Sequence, residues 1–140
     1  MNIQNFDFWH VIILGRADIV RVLLAAGANP EVYEDIIWRY GPLVMSICTT
    51  GRNDIAEMLI NAGANVNRLT PQKYSALHYA AWHGNIGVVR LLLDHGARDD
   101  DPTGGGHTPL ALAAHGGHDD VLELFIRRGC SVNNSDKSVQ

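Results

Sequence analysis

A fourteen-residue segment that occurs four times in phase constrains this chain more than any other feature. Gly15-Arg-Ala-Asp-Ile-Val-Arg-Val-Leu-Leu-Ala-Ala-Gly-Ala28 recurs from Gly51, from Gly84 and from Gly117. The leading glycines are separated by 36, 33 and 33 residues, and the closing glycines Gly27, Gly63, Gly96 and Gly129 keep the same three intervals. Self-similarity at such a period marks a stacked array, in which each unit buries its apolar face only against its neighbours. Each copy carries its own helix signals. Asp18, Asp54, Asp119 and Asp120 fall in first turns, where the helix dipole favours negative charge. Ile19, Val20, Val22, Leu23 and Leu24 in the first copy, and Val88, Val89, Leu91, Leu92 and Leu93 in the third, cluster on one side. The closing glycine then suits a left-handed C-terminal residue, and His95, Arg127 and Arg128 bring favourable charge to last turns.

A shorter helix precedes each of these. The fourth begins Thr108-Pro109-Leu110, with threonine as N-cap and proline at the first helical position, and the third begins Ser75-Ala76-Leu77-His78. The pairs Ala80-Ala81 and Ala113-Ala114 are small enough for close helix approach. A polar connection such as Asp99–Gly106 completes the unit as helix, turn, helix and turn-rich finger.

On these residues the chain resembles the ankyrin-repeat family. Ser75-Ala-Leu-His78 and Thr108-Pro-Leu-Ala111 match the family's T-P-L-H, and Gly63-Ala-Asn-Val-Asn67 and Gly129-Cys-Ser-Val-Asn133 match its G-A-x-V-N ending. The resemblance covers nearly the whole chain. It implies an all-α solenoid of stacked helix-turn-helix units with β-turn fingers, as one domain over 1–140. The repeats are placed at about 4–36, 37–69, 70–102 and 103–135, with a short tail at 136–140. The chain departs from the pattern in several places. Three extra residues fall within 29–41, Ile47-Cys48 replaces the alanine pair in the second copy, Ala111 stands where the family has histidine, and the opening helix Phe6–Leu14 is unusually apolar. The apolar end repeats are read as a natural short form, a fragment of a longer array, or an end that docks on a partner.

Composition excludes several other classes. With 46% hydrophobic and 19% charged residues the chain is globular, and at this length it needs neither disulfide nor metal to fold. Cys48 and Cys130 form no C-x-x-C pair, which fits a reducing compartment. The net charge is −4 and only Lys73 and Lys137 among eleven basic residues are lysines, so nucleic acid is not an expected partner. The run Val11–Leu14 is too short for a membrane span and lacks the features of a signal peptide, so a cytoplasmic setting is expected, with the nucleus open.

No residue set combines nucleophile, base and orienting group, and no catalytic residue, cofactor or metal site is assigned. His115 and His118 lack the spacing of a zinc site and read as exposed helix-end histidines. Gly104-Gly105-Gly106 lacks the lysine of a phosphate loop and reads as the finger turn, and His78 reads as structural.

The resemblance implies that partners are proteins, held on the concave face made by finger tips and inner-helix ends. By register this face takes Gln72, Tyr74, Trp82 and His83 from the third copy and Gly105, His107, His115 and Gly116 from the fourth. Trp38, Arg39, Thr49 and Thr50 are the second copy's contribution. Tryptophan, tyrosine and arginine dominate binding hot spots, which singles out Trp38, Arg39, Tyr74 and Trp82. The expected activity is therefore a non-catalytic protein–protein interaction module, monomeric unless its apolar ends dock. Similarity to four-repeat kinase inhibitors implies an alternative, a regulator that clamps an enzyme, and a substrate-binding part of a ubiquitin-ligase adaptor is a third reading. The family resemblance also marks Asn67 and Asn133 as candidates for asparaginyl hydroxylation.

Overall fold

The structure, a computed structural model, describes residues 5–31, 43–44, 46–47 and 53–130. Seven helices lie among them: α1 (Asn5–Ile13), α2 (Ala17–Ala25), α3 (Asn53–Asn61), α4 (Ala76–His83), α5 (Ile86–Asp94), α6 (Pro109–His115) and α7 (Asp119–Arg127). Leu43, Val44, Ser46 and Ile47 are also helical and buried. The described residues contain no strand. The chain divides into two compact units, residues 1–65 and 66–140.

In the first unit α1 packs on α2 and α2 on α3. Phe8, Ile12, Val20, Ile55 and Leu59 are buried there, whereas Leu14 and Val22 are mostly exposed. The apolar opening helix thus supplies core residues on one face. Beyond α2, the Glu31 carboxylate accepts the Asn65 backbone N–H at 2.7 Å.

In the second unit α4 and α5 form one helical hairpin, and α6 and α7 the next. The hairpins stack element on element, α4 against α6 and α5 against α7. Small residues make the inner contact possible, because Ala80, Ala81 and Ala113 are fully buried and keep the helices close. Leu77, Val88, Val89, Leu92, Val121 and Phe125 fill the rest of the core. Burying each such side chain contributes roughly 1.5–3 kcal/mol, which makes stacking the main source of stability. The termini follow the sequence signals. Ser75 and Thr108 N-cap α4 and α6, Pro109 occupies the first turn of α6, and Asn85 caps α5. The closing glycines Gly27, Gly63, Gly96 and Gly129 all have positive φ. An ion pair between Arg128 and Asp94 links the C-terminal ends of α7 and α5.

Candidate functional site

Two fingers of equal design present the residues in front of α4 and α6. Thr70 and Thr103, both buried, serve as their hubs. The Thr70 hydroxyl accepts the Tyr74 backbone N–H at 3.1 Å, while the Thr70 N–H donates to the Tyr74 carbonyl at 2.8 Å. Thr103 holds His107 the same way, at 3.2 and 2.9 Å. The tight turn needs a left-handed residue before the aromatic one. Gly106 supplies it at φ 90°, and Lys73 is forced into it at φ 65°. Gly104 N–H donates to the Gln72 carbonyl at 2.8 Å, so the fingers are joined through their main chains. The Gly104–Gly106 run is the finger turn that the sequence implied.

Behind the third finger, His78 is fully buried and hydrogen-bonded at both ring nitrogens. Nδ1 accepts the Ser75 N–H at 2.9 Å, and Nε2 lies 2.8 Å from the Asp101 carbonyl oxygen. A carbonyl can only accept, so the proton sits on Nε2. Burial pushes this imidazole below its ordinary range, against the opposing pull of the Asp101 carbonyl and charge. His78 is the structural residue the sequence suggested, and it closes a capping box with Ser75.

The aromatic residues converge on a cavity of about 300 Å³ lined by Tyr74, Tyr79, Trp82 and Leu112. The rings of Tyr74 and Tyr79 lie 5.1 Å apart at 33°, and Tyr74 meets His78 edge-on at 5.8 Å. Trp82 keeps 47% of its surface exposed. Gln72, His83 and His115 are exposed and His107 is half-buried, with the His107 and His115 rings edge to face at 5.5 Å. Of the third- and fourth-copy residues singled out by register, Tyr74 and Trp82 line one cavity, and His107 and His115 meet ring to ring. Trp38, Arg39, Thr49, Thr50 and Asn133 lie outside the described residues.

Three participants were missed. Tyr79 stands one helical turn before Trp82, and i, i+3 spacing on α4 was the available signal. Leu112 was indistinguishable from a core leucine. His118, read as an exposed turn residue, instead donates from Nε2 to the Trp82 carbonyl at 2.8 Å, and so secures the end of α4. Its ring lies where a Cβ on Gly84 would be, 2.3 Å from Nδ1. No sequence motif announces that contact, since in the preceding repeat the matching residue, Asn85, is an ordinary N-cap.

Asn67 bridges to the next repeat. Its amide donates to the Gly96 carbonyl at 3.1 Å and its oxygen accepts the Arg98 N–H at 2.8 Å. Cys130, a free thiol, donates to Asp99 at 3.1 Å; burial first, then that carboxylate, pushes its pKa up to about 12. Among the described residues no group of three or more histidine, cysteine or acidic side chains is gathered to hold a metal ion, and no helix is long and apolar enough to cross a membrane.

Comparison with known proteins agrees with this architecture. A family model described as ankyrin repeats (3 copies) matches residues 8–103 and 44–136. The potassium channel AKT1 of Oryza sativa subsp. indica is 46% identical over 70 residues, half of this chain and 8% of that protein. A rice protein named Probable E3 ubiquitin-protein ligase XBOS34 (Oryza sativa subsp. japonica) is 38% identical over 118 residues, 81% of this chain and 22% of its own length. Cyclin-dependent kinase 4 inhibitor B of Rattus norvegicus is 32% identical over 112 residues, covering 79% of this chain and 83% of the inhibitor. The chain thus spans less than a quarter of the two rice proteins but most of the rat one. With capped helix pairs, threonine-centred fingers and a matching family model, the chain belongs to the ankyrin-repeat family, whose repeats are protein-interaction modules generally without catalysis.

Proposed function

We propose that this protein binds a protein partner through the aromatic face of its third and fourth repeats, with Gln72, Tyr74, Trp82, His83, His107 and His115 in contact. By sequence register alone, Trp38 and Arg39 are candidates for the same role. The observation that carries the reading is Trp82, a large aromatic left 47% exposed beside a cavity it shares with Tyr74, Tyr79 and Leu112. Residues of this type in a concave, partly apolar setting are where truncation usually costs most binding energy, about 2 kcal/mol or more for a hot spot. The protein works as a monomer in the cytoplasm on this reading, and needs no cofactor.

Capture from lysate by wild-type protein, beside Trp82→Ala and the Trp82→Ala/Tyr74→Ala pair, tests it. The expected result is loss of specific partners with unchanged helical circular dichroism. Full recovery of the same proteins by the folded double variant would overturn the assignment.

A second reading, a regulator that clamps an enzyme, is favoured by the similarity that spans 83% of the rat inhibitor. Assays of cyclin-dependent kinases with and without the protein separate the two, because a scaffold leaves their activity unchanged. Attachment to a ubiquitin ligase is the third, supported by the likeness to the rice protein named a probable ligase.

A further inference from the structure

We propose that the cavity at Tyr74, Tyr79, Trp82 and Leu112 receives an aromatic side chain carried on an acidic segment of the partner. The inference rests on the reading above and gives that face its ligand chemistry.

The charge pattern points to the acidic segment. The cavity is built from α4, α6 and their fingers, and residues 58–93 and 102–118 contain no aspartate or glutamate, although the chain has 15 acids. In place of acids these stretches carry Lys73, next to Tyr74 in the chain, and the exposed His83 and His115. His83 lies four residues from Tyr79 on α4, and His115 three from Leu112 on α6, the spacings that share a helix face. Every imidazole offers at least one N–H whatever its tautomer, and partner carboxylates offer only acceptors. Of the neighbouring acids, Asp101 lies 3.8 Å from Arg98 and Asp99 takes the Cys130 thiol. Within residues 58–93 and 102–118 an acidic chain meets no like charge; Asp94, Asp99, Asp100 and Asp101 lie between these stretches, and Asp119 and Asp120 follow the second.

The cavity wall points to the aromatic anchor. Tyr74 and Tyr79 stack on each other, and Tyr74 also abuts His78, whose two ring nitrogens are both bonded. On the opposite side the Trp82 carbonyl is held by His118. The wall is therefore fixed before binding, which removes part of the ordering cost. Aromatic rings gain from edge-to-face and offset contacts beyond their buried area, so a ring fits this lining better than an aliphatic chain does.

The test uses the full chain and three fluorescein-labelled peptides read by anisotropy. They carry phenylalanine between four glutamates on each side, phenylalanine between four lysines on each side, and alanine between the same glutamates. The glutamate–phenylalanine peptide should bind at least about tenfold tighter than either control, and weaken as salt is raised. Trp82→Ala and Lys73→Glu should each lower its affinity by about tenfold. Equal binding of the lysine or alanine peptide, unchanged binding by Trp82→Ala, or no binding of any peptide would each overturn the proposal. Should it fail while lysate capture still depends on Trp82 and Tyr74, the aromatic face stands with a different ligand chemistry. Should lysate capture be independent of them, the parent reading falls as well.

Discussion

His78 on α4 donates from Nε2 to the carbonyl oxygen of Asp101, 23 residues ahead at the start of the next finger. One buried side chain thus fastens the third repeat to the connection leading into the fourth. His78→Ala leaves the Asp101 carbonyl and the Ser75 N–H without this partner, and should cost about 2–4 kcal/mol, read as a lower urea midpoint.

The same ring makes stability depend on pH with a definite sign. Folding holds the imidazole below its ordinary range, whereas in the unfolded chain it titrates near about 6.5. The unfolded state therefore takes up the proton first. The contribution of His78 is complete above pH about 6.5 and declines as the pH falls below it. Urea midpoints between pH 7.5 and 5 should drop less in His78→Ala than in wild type; parallel curves would contradict this.

Lys73 occupies at φ 65° the place that Gly106 fills at φ 90° in the following finger. Its side chain gains nothing from that backbone conformation. Lys73→Gly should raise stability by about 0.5–1 kcal/mol, visible as a higher melting temperature. It should also weaken the acidic peptide, since it removes the ammonium beside Tyr74.

Gly84 is constrained twice, by φ 73° and by the His118 ring, which its own bond to Trp82 prevents from retreating. Gly84→Ala should cost about 2 kcal/mol or more. In a double-mutant cycle His118→Ala should recover part of that loss, with a coupling of roughly 0.5–3 kcal/mol. Strict additivity would mean that the ring is not what Gly84 accommodates.

Cys130, with its pKa pushed up to about 12, is almost entirely thiol at pH 8. In a Cys48→Ser background, native protein should react with a disulfide reagent on the order of a hundredfold more slowly than urea-unfolded protein, whose cysteine has an ordinary pKa. Similar rates in the two states would show an accessible thiolate.

Most of the architecture was legible because a repeat supplies four readings of one message. The threonine and serine caps and the left-handed closing glycines have local causes and the structure realises them; of the alanine pairs Ala80, Ala81 and Ala113 are buried, whereas Ala114 is exposed. The aromatic face was half legible. Register pointed to Tyr74 and Trp82, which line the cavity, since a position outside the repeat's structural pattern is free to vary. Tyr79, Leu112 and His118 escaped because their roles depend on what the adjacent repeat brings alongside, as when His118 reaches back 36 residues to the Trp82 carbonyl. Asn67 shows the reverse case. Its sequence setting suggested a modification candidate, while both ends of its amide are bonded to the turn around Gly96 and Arg98.

The bond from Gly104 N–H to the Gln72 carbonyl is a rung made only of main-chain atoms. Any residue at all at position 72 can supply the carbonyl, whereas position 104 favours glycine, because a Cβ there would lie 3.0 Å from the Gln72 carbonyl oxygen. The threonine hubs sit inside and the tips outside, so framework and recognition are written at separate positions. Tip residues can therefore be exchanged wholesale, as in a type case whose letters are reset while the frame stays locked. A library randomised at Gln72, Gly105, His107 and His115 should retain the wild-type fold in most members while scattering their choice of ligand.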